Sequence, residues 1–269
     1  MSGARLAEGA FMAFCALFLM GPIAVVCAAA LNGGRTMTFP PENPTLARFG
    51  DFFEAGGIWM VALEHSALIA LGSAMLATLM AWPAAYLVWR HGGRAHRLLA
   101  STVALPFALP PIVFGVGLGF LWSFTGALGQ VWAGVLSHAA LHAALPLVTV
   151  SIGLAAIDRA HLDAAATMGA TEGVRIRTVV LPQTLPYTLS GFLFALILSF
   201  NEFIVVFFVS ASAYSTVTLQ IFNSLRNGFT PTMAVGAIAF IAVSLAVFGA
   251  IARFGDLPRL MGADTSRDD

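Results

Sequence analysis

The stretch DAAATMGATEGVRIRTVVLPQTLP, residues 163–186, lies between two long apolar runs and decides how the rest of the chain is read. It is too polar to cross a bilayer and too regular for a loose linker. Asp158 and Asp163 stand near the start of a short helix, where the helix dipole favours negative charge. Ala164, Ala165 and Ala166 are strong helix formers of minimal bulk, and a face of alanines lets another backbone approach closely. Gly169 suits the left-handed position after a last helical turn. Thr171 suits the N-cap of a second helix, with Glu172 in its first turn. Arg175 and Arg177 then precede Val179-Val180-Leu181, and Pro182 and Pro186 mark the return into apolar sequence. The pattern predicts two short helices joined by a glycine corner at a membrane surface. On composition alone it also fits an amphipathic linker lying on the bilayer.

Outward from this stretch, the chain is strongly apolar. Of its 269 residues 59% are hydrophobic and 10% charged, against about 25% charged in soluble domains, so lipid is the solvent for most of the surface. Net charge is zero, which gives no footprint for nucleic acid. All 13 basic residues are arginine. Cys15 and Cys27 share one apolar run, twelve residues or about 18 Å apart along a helix, and so beyond disulfide reach.

A spanning helix takes about 20 mostly apolar residues. Six runs meet this, at roughly 10–31, 65–89, 102–124, 134–157, 184–211 and 232–254. The first ends in Ala28-Ala29-Ala30, like a signal-peptide cleavage site, but is longer than a signal core, so a retained helix is expected. With the N-terminus inside, Arg5, Arg90, Arg94, Arg97, Arg159, Arg175, Arg177, Arg253, Arg259 and Arg267 fall on the cytoplasmic side. Only Arg35, Arg48 and Arg226 fall outside, a bias of ten to three. Both termini and the loop at about 158–183 are therefore expected in the cytoplasm. The outer segment 32–60 reads as a solvated connector with turns around a short interfacial helix near 45–55, and the end GADTSRDD as frayed.

The spacing inside the first stretch resembles the signature of ABC importer permeases: Glu-Ala-Ala, three residues, Gly, nine residues, Ile, one residue, Leu-Pro. Here Asp163-Ala164-Ala165 is followed by three residues and Gly169, then nine to Val179 and one to Leu181-Pro182. Asp replaces Glu at 163 and Val replaces Ile at 179. WPAAYLVWR (82–90), LPFALPPIVFGVGLG (105–119) and LSFNEFIVVFFVS (198–210) are similar to corresponding stretches of these permeases, closest to the second permease of spermidine/putrescine-type or aminoalkylphosphonate-type systems. The likeness runs from about residue 61 onward. It implies an all-α integral membrane protein, one permease domain over 1–269 with an N-terminal helix at 10–31, a core at about 61–254 and a coupling loop at 158–182. The implied fold is the six-helix type I importer permease with a cytoplasmic coupling helix.

The resemblance further implies that Asp163, Ala164, Ala165, Gly169, Leu181 and Pro182 meet a cytoplasmic ATPase. A second permease subunit, or a second copy, completes the pore, and an extracytoplasmic solute-binding protein delivers the solute. No catalytic residue, cofactor or metal is expected, and ATP hydrolysis falls to the partner. No phosphate-cradling glycine loop with a lysine occurs in the chain.

Other features are weighed beside this. Glu202, next to Asn201, reads as a carboxylate inside an apolar helix, a costly placement that usually faces a cavity or a partner. It is assigned to the substrate path with Asn201, and a cationic or amine-bearing solute is the partner it would select; a structural hydrogen bond is the alternative. Pro106, Pro110 and Pro111, followed by Gly115, Gly117 and Gly119, read as a bent elbow with close helix packing rather than a hinge. His138 and His142, one turn apart, lack the further ligands of a metal site and read as interhelical hydrogen-bonding groups. The rival functions are an ion-driven secondary transporter with Glu202 as relay, and a membrane enzyme using Glu202 and the histidines. ATP dependence separates the first from the importer.

Overall fold

A computed structural model describes residues 3–254; Arg259, Arg267 and the end expected to fray lie outside the described residues. Thirteen α-helices occur among them, with no strand. In chain order they are α1 (Gly3–Ala29), α2 (Ala47–Phe52), α3 (Ile58–His91), α4 (Arg94–Ala104), α5 (Pro111–Thr125), α6 (Val131–His142), α7 (Ala144–Ala155), α8 (Arg159–Thr167), α9 (Glu172–Arg175), α10 (Leu181–Asn201), α11 (Ile204–Val209), α12 (Val217–Asn227) and α13 (Pro231–Phe254). Four helical stretches are long and apolar enough to cross a bilayer: Ala7–Ala29, Ile58–His91, Glu172–Asn201 and Pro231–Arg253. Two bent pairs, Arg94–Ala108 with Pro111–Thr125 at 105° and α6 with α7 at 47°, bring the number to six if each pair is one span.

The backbone forms two compact units. One runs to Leu63 and resumes from Leu219 to Val243; the other runs from Glu64 to Thr218 and resumes at Ser244. In the first, the connector after α1 is more ordered than its sequence suggests. Asn32, fully buried, donates to the carbonyls of Ala29 and Thr38 and accepts from the Thr38 hydroxyl and the Glu42 N–H. Arg48 donates to the carbonyls of Gly33 and Gly34 and pairs with Asp51 at 3.0 Å. Phe52 and Trp59 are buried against Ala29, Ala30 and Met233. The connector is mostly exposed, as expected, but part of its backbone is closed by side chains from the segment itself. Its short helix is present, as α2.

In the second unit, small residues set the packing. Ala74 and Ala77 of α3, Ala139 of α6, Ala143 and Ala195 of α10 form an alanine seam in which the helices approach closely. A Cβ added at Gly191 would stand 2.7 Å from Pro146 Cα and overlap Thr149 Oγ1; one at Gly153 would stand 2.7 Å from the Tyr187 ring. Helices α7 and α10 therefore pack backbone against backbone. The elbow is also as expected: Pro110 and Pro111 start α5 after the bend, and Cβ atoms at Gly115 and Gly119 would meet Phe208 at 3.1 Å and 3.4 Å.

Candidate functional site

The segment from 158 to 182 joins α7 to α10. Asp158 is the N-cap of α8, and its carboxylate accepts from the Ala160 N–H at 2.9 Å. The other end of α8 is closed by Gly169 at φ +80°. The Gly169 N–H donates to the Ala166 carbonyl at 2.9 Å and the Ala170 N–H to the Ala165 carbonyl at 3.0 Å, the paired bonds of a Schellman cap. No residue of α8 is buried. Asp163, Ala164 and Ala166 are exposed, Ala165 is half-buried, and Met168 beside the corner is 87% exposed. The expected small-faced helix and glycine corner are present, and the corner is held by backbone bonds.

The second half differs from expectation. Thr171 takes the N-cap position, yet its hydroxyl makes no capping bond. Instead of a separate short helix, α9 continues through a π-helical turn, Ile176–Val180, into α10, giving one helical stretch of 30 residues, Glu172–Asn201. Pro182 is the physical reason. It has no N–H, and its ring would crowd the Thr178 carbonyl in a regular α-turn, so the chain widens just before it. Pro182 sits at the second position of α10 and Pro186 inside it, so neither proline interrupts the helix. Leu181 and Pro182 are exposed.

Glu172, the first residue of α9, is the centre of a polar cluster that sequence reading did not single out. Its carboxylate accepts from the Tyr86 hydroxyl at 2.6 Å, from Arg90 Nε at 3.0 Å and Nη2 at 3.3 Å, and from Arg175 Nη2 at 2.9 Å. Tyr86 and Arg90 are four residues apart on α3, hence on one face. The same residues, with Arg159, Leu162 and Asp163, line a cavity of about 220 Å³. The signal in the sequence is faint: a tyrosine and an arginine at that spacing where an apolar run ends.

Glu202 is not inside a helix. Helix α10 stops at Asn201, Glu202 is extended (φ −73°, ψ 125°), and α11 begins at Ile204. One carboxylate oxygen of the half-buried Glu202 accepts from the N–H groups of Ile204 at 2.7 Å and Val205 at 3.1 Å. Its carbonyl accepts from the Thr218 hydroxyl at 3.2 Å. The expected span at 184–211 is therefore corrected to a helix and a short second helix, the side chain taking the place of the lost helical acceptors. Asn201, at the end of α10, is exposed. The structure does not bring Asn201 and Glu202 together with the 158–182 segment. They lie at opposite ends of a 30-residue helical stretch, or about 45 Å.

His138 is buried, and its Nδ1 shares a 2.8 Å hydrogen bond with Ser199 Oγ, which also receives the Ser73 hydroxyl at 2.8 Å. This polar junction ties α3, α6 and α10, as the hydrogen-bonding reading expects of His138; His142 departs from it, its Nδ1 being buried without a hydrogen-bond partner among the described residues. No set of three His, Cys, Asp or Glu side chains converges as metal ligands among the described residues.

This arrangement of helices matches known proteins. The family model for the binding-protein-dependent transport system inner membrane component matches residues 73–256. The spermidine/putrescine transport system permease protein PotC of Haemophilus influenzae is 32% identical over 188 residues, 69% of this chain and 72% of that one. The putrescine transport system permease protein PotI of Escherichia coli K12 is 26% identical over 261 residues, 90% of this chain and 91% of the other. Among solved structures, a bacterial ABC transporter that imports the acidic polysaccharide alginate superposes with a TM-score of 0.71 at 15% identity, covering 94% of this chain and 98% of its own; at that identity it speaks for the fold. The chain belongs to the binding-protein-dependent transport system inner membrane components, with the type I importer permease fold, and is a permease subunit of an ABC importer.

Proposed function

We propose that this chain forms half of the translocation path of an ATP-driven importer for a small amine-bearing solute of the polyamine class. In this reading the 158–182 segment lies in the cytoplasm and docks on a separate ATPase subunit, which carries all the hydrolysis. A second permease, or a second copy of this one, supplies the other half of the path, and an extracytoplasmic binding protein delivers the solute. The observation that carries it is the α8 corner: a backbone-locked turn that presents small exposed residues and Met168 outward. Relatives that carry polyamines in their names support the solute class. The ten-to-three arginine bias supports both termini being cytoplasmic.

Orientation is tested by thiol labelling of intact cells, with Cys15 and Cys27 replaced. Cysteines at Arg94 and Met168 resist an impermeant reagent, and one at Arg35 reacts. Labelling of the first two from outside overturns the orientation.

Transport is tested by uptake of labelled putrescine into vesicles holding the assembled complex. Uptake requires ATP inside the ATPase compartment and persists without an ion gradient; gradient-driven uptake without ATP favours the secondary-transporter rival. Glu202 has two readings here, because its capping of α11 is a structural task already visible. Glu202→Gln keeps the amide oxygen for the Ile204 and Val205 N–H groups and removes only the charge. Uptake falling by about tenfold with assembly intact, the scale of one charged hydrogen bond, assigns the charge to the solute. Full uptake leaves Glu202 a cap alone.

A further inference from the structure

Helix α3 has 34 residues, or about 51 Å, against a hydrocarbon layer of about 30 Å. Part of it therefore has no place in the apolar layer, and its basic last turn, with Arg90 and His91, meets the 158–182 segment. The meeting point is Glu172. It stands three residues beyond the Gly169 corner and opens the helical stretch that becomes α10. Four hydrogen bonds converge on its carboxylate, three of them from Tyr86 and Arg90 of α3. A lone exposed ion pair contributes little, but a network with a two-bond arginine contact is the exception. Glu172 is half exposed, and the Tyr86 hydroxyl, from a nearly buried residue, anchors it from the inner side.

The surrounding packing gives this contact a direction. Tyr86 belongs to a buried cluster with Ala81, Leu147, Val150, Leu154 and Val180, so it is seated against α7 and the π-helical turn. Past Arg90, α3 ends at His91, and Gly92 (φ +62°) turns the chain into α4. Helix α4 leads through the elbow to α5, whose Gly115 and Gly119 rest on Phe208 of α11. Helix α11 follows Glu202 directly. A displacement of the corner thus has two contiguous routes to the Glu202 break: along α10, and through α3, α4 and α5. Covalent connection supplies the first. The Glu172 contact joins the corner to the second through charge, alongside Leu162 and Ile176, which pack on the Tyr86 cluster.

We propose that Glu172, held by Tyr86 and Arg90, is a positioning residue that clamps the docking corner to α3, so that movement at the ATPase is delivered to the elbow side of the path as well as along α10. The clamp rests on the reading of 158–182 as the docking segment. Tyr86 and Arg90 lie outside that segment, which lets the two be tested apart.

The test uses the complex with its ATPase, comparing the parent with the double variant Tyr86→Phe/Arg90→Leu. Docking is read from a cross-link between Met168→Cys and the ATPase, introduced in both. Coupling is read as solute imported per ATP hydrolysed. The clamp requires that the cross-link and ATP hydrolysis match the parent while solute per ATP falls about tenfold, the size expected when hydrogen bonds to a charged group are withdrawn. Unchanged solute per ATP overturns the clamp and leaves docking intact. Loss of assembly in the double variant overturns it too, making Glu172 a folding contact. Absence of the cross-link in the parent overturns the docking reading, and the clamp with it.

Discussion

Gly169→Asp abolishes ATP-driven uptake while the protein still inserts and folds. The chain itself tolerates the change, because no atom lies within 4 Å of where the new Cβ would stand. The cost inside the chain is that of a left-handed residue at φ +80°, about 1–2 kcal/mol, and aspartate is among the residues that bear it best. The larger loss falls on the docking reading: a carboxylate would project from the corner, next to Met168, where an ATPase surface must close. A hundredfold weaker association corresponds to about 2.8 kcal/mol, within reach of one unpaired charge held against an interface. The check is a paired measurement, monodisperse yield of the variant and the amount of ATPase that co-purifies. Gly169→Ala separates the parts, since it carries the backbone strain without the charge and should keep most of the association. Normal uptake by the aspartate variant removes the corner from the docking surface.

Gly191→Leu has the opposite signature: the protein is lost before transport can be measured. The α7–α10 contact has no room for a side chain at 191. A Cβ alone would overlap Thr149 and stand 2.7 Å from the backbone of Pro146, which cannot swing aside as a side-chain tip can. Overpacking costs typically 1–3 kcal/mol and sometimes more, and a clash with backbone lies at about the upper end. Gly191→Ala is expected to lower the thermal midpoint of the purified protein, and Gly191→Leu to remove the monodisperse peak. A leucine variant of parental stability would show that the two helices can separate at no cost. The contrast between the two glycines is physical: Gly169 has open space and an uncommon dihedral, while Gly191 sits in an ordinary helix with no space.

The sequence made some of this visible and hid the rest for identifiable reasons. The spans show because lipid demands long apolar runs, and the α8 corner shows because alanines and a glycine at 169 encode local geometry. Pro110 and Pro111, with Gly115 and Gly119, mark the elbow for the same reason. The break at Glu202 was hidden, since Phe203 to Val209 continue the apolar run and only the carboxylate's bonds to Ile204 and Val205 reveal a second helix. The order around Asn32 depends on partners six and ten residues away. The Glu172 cluster was least legible, because Tyr86 lies 86 residues away and pairs of that separation leave no periodic trace.

The π-helical turn at Ile176–Val180 also changes how side chains on its two sides are to be compared. A turn closed by i→i+5 bonds holds one residue more than the α-turn it replaces, and one residue is about 100° of rotation. A single helical wheel drawn from Glu172 to Asn201 is therefore out of phase with the molecule across that point. From its last residue onward, Val180, Thr184, Tyr187, Gly191 and Ala195 form one buried line at regular α-helical spacing. With that shift, Glu172 and Arg175 on the near side come within about 40° of this line, and Val180 at the end of the turn shares the buried cluster of Tyr86, which bonds Glu172. One extra residue thus lets a single rod carry the polar cluster at its foot on the same side as the buried line along its shaft.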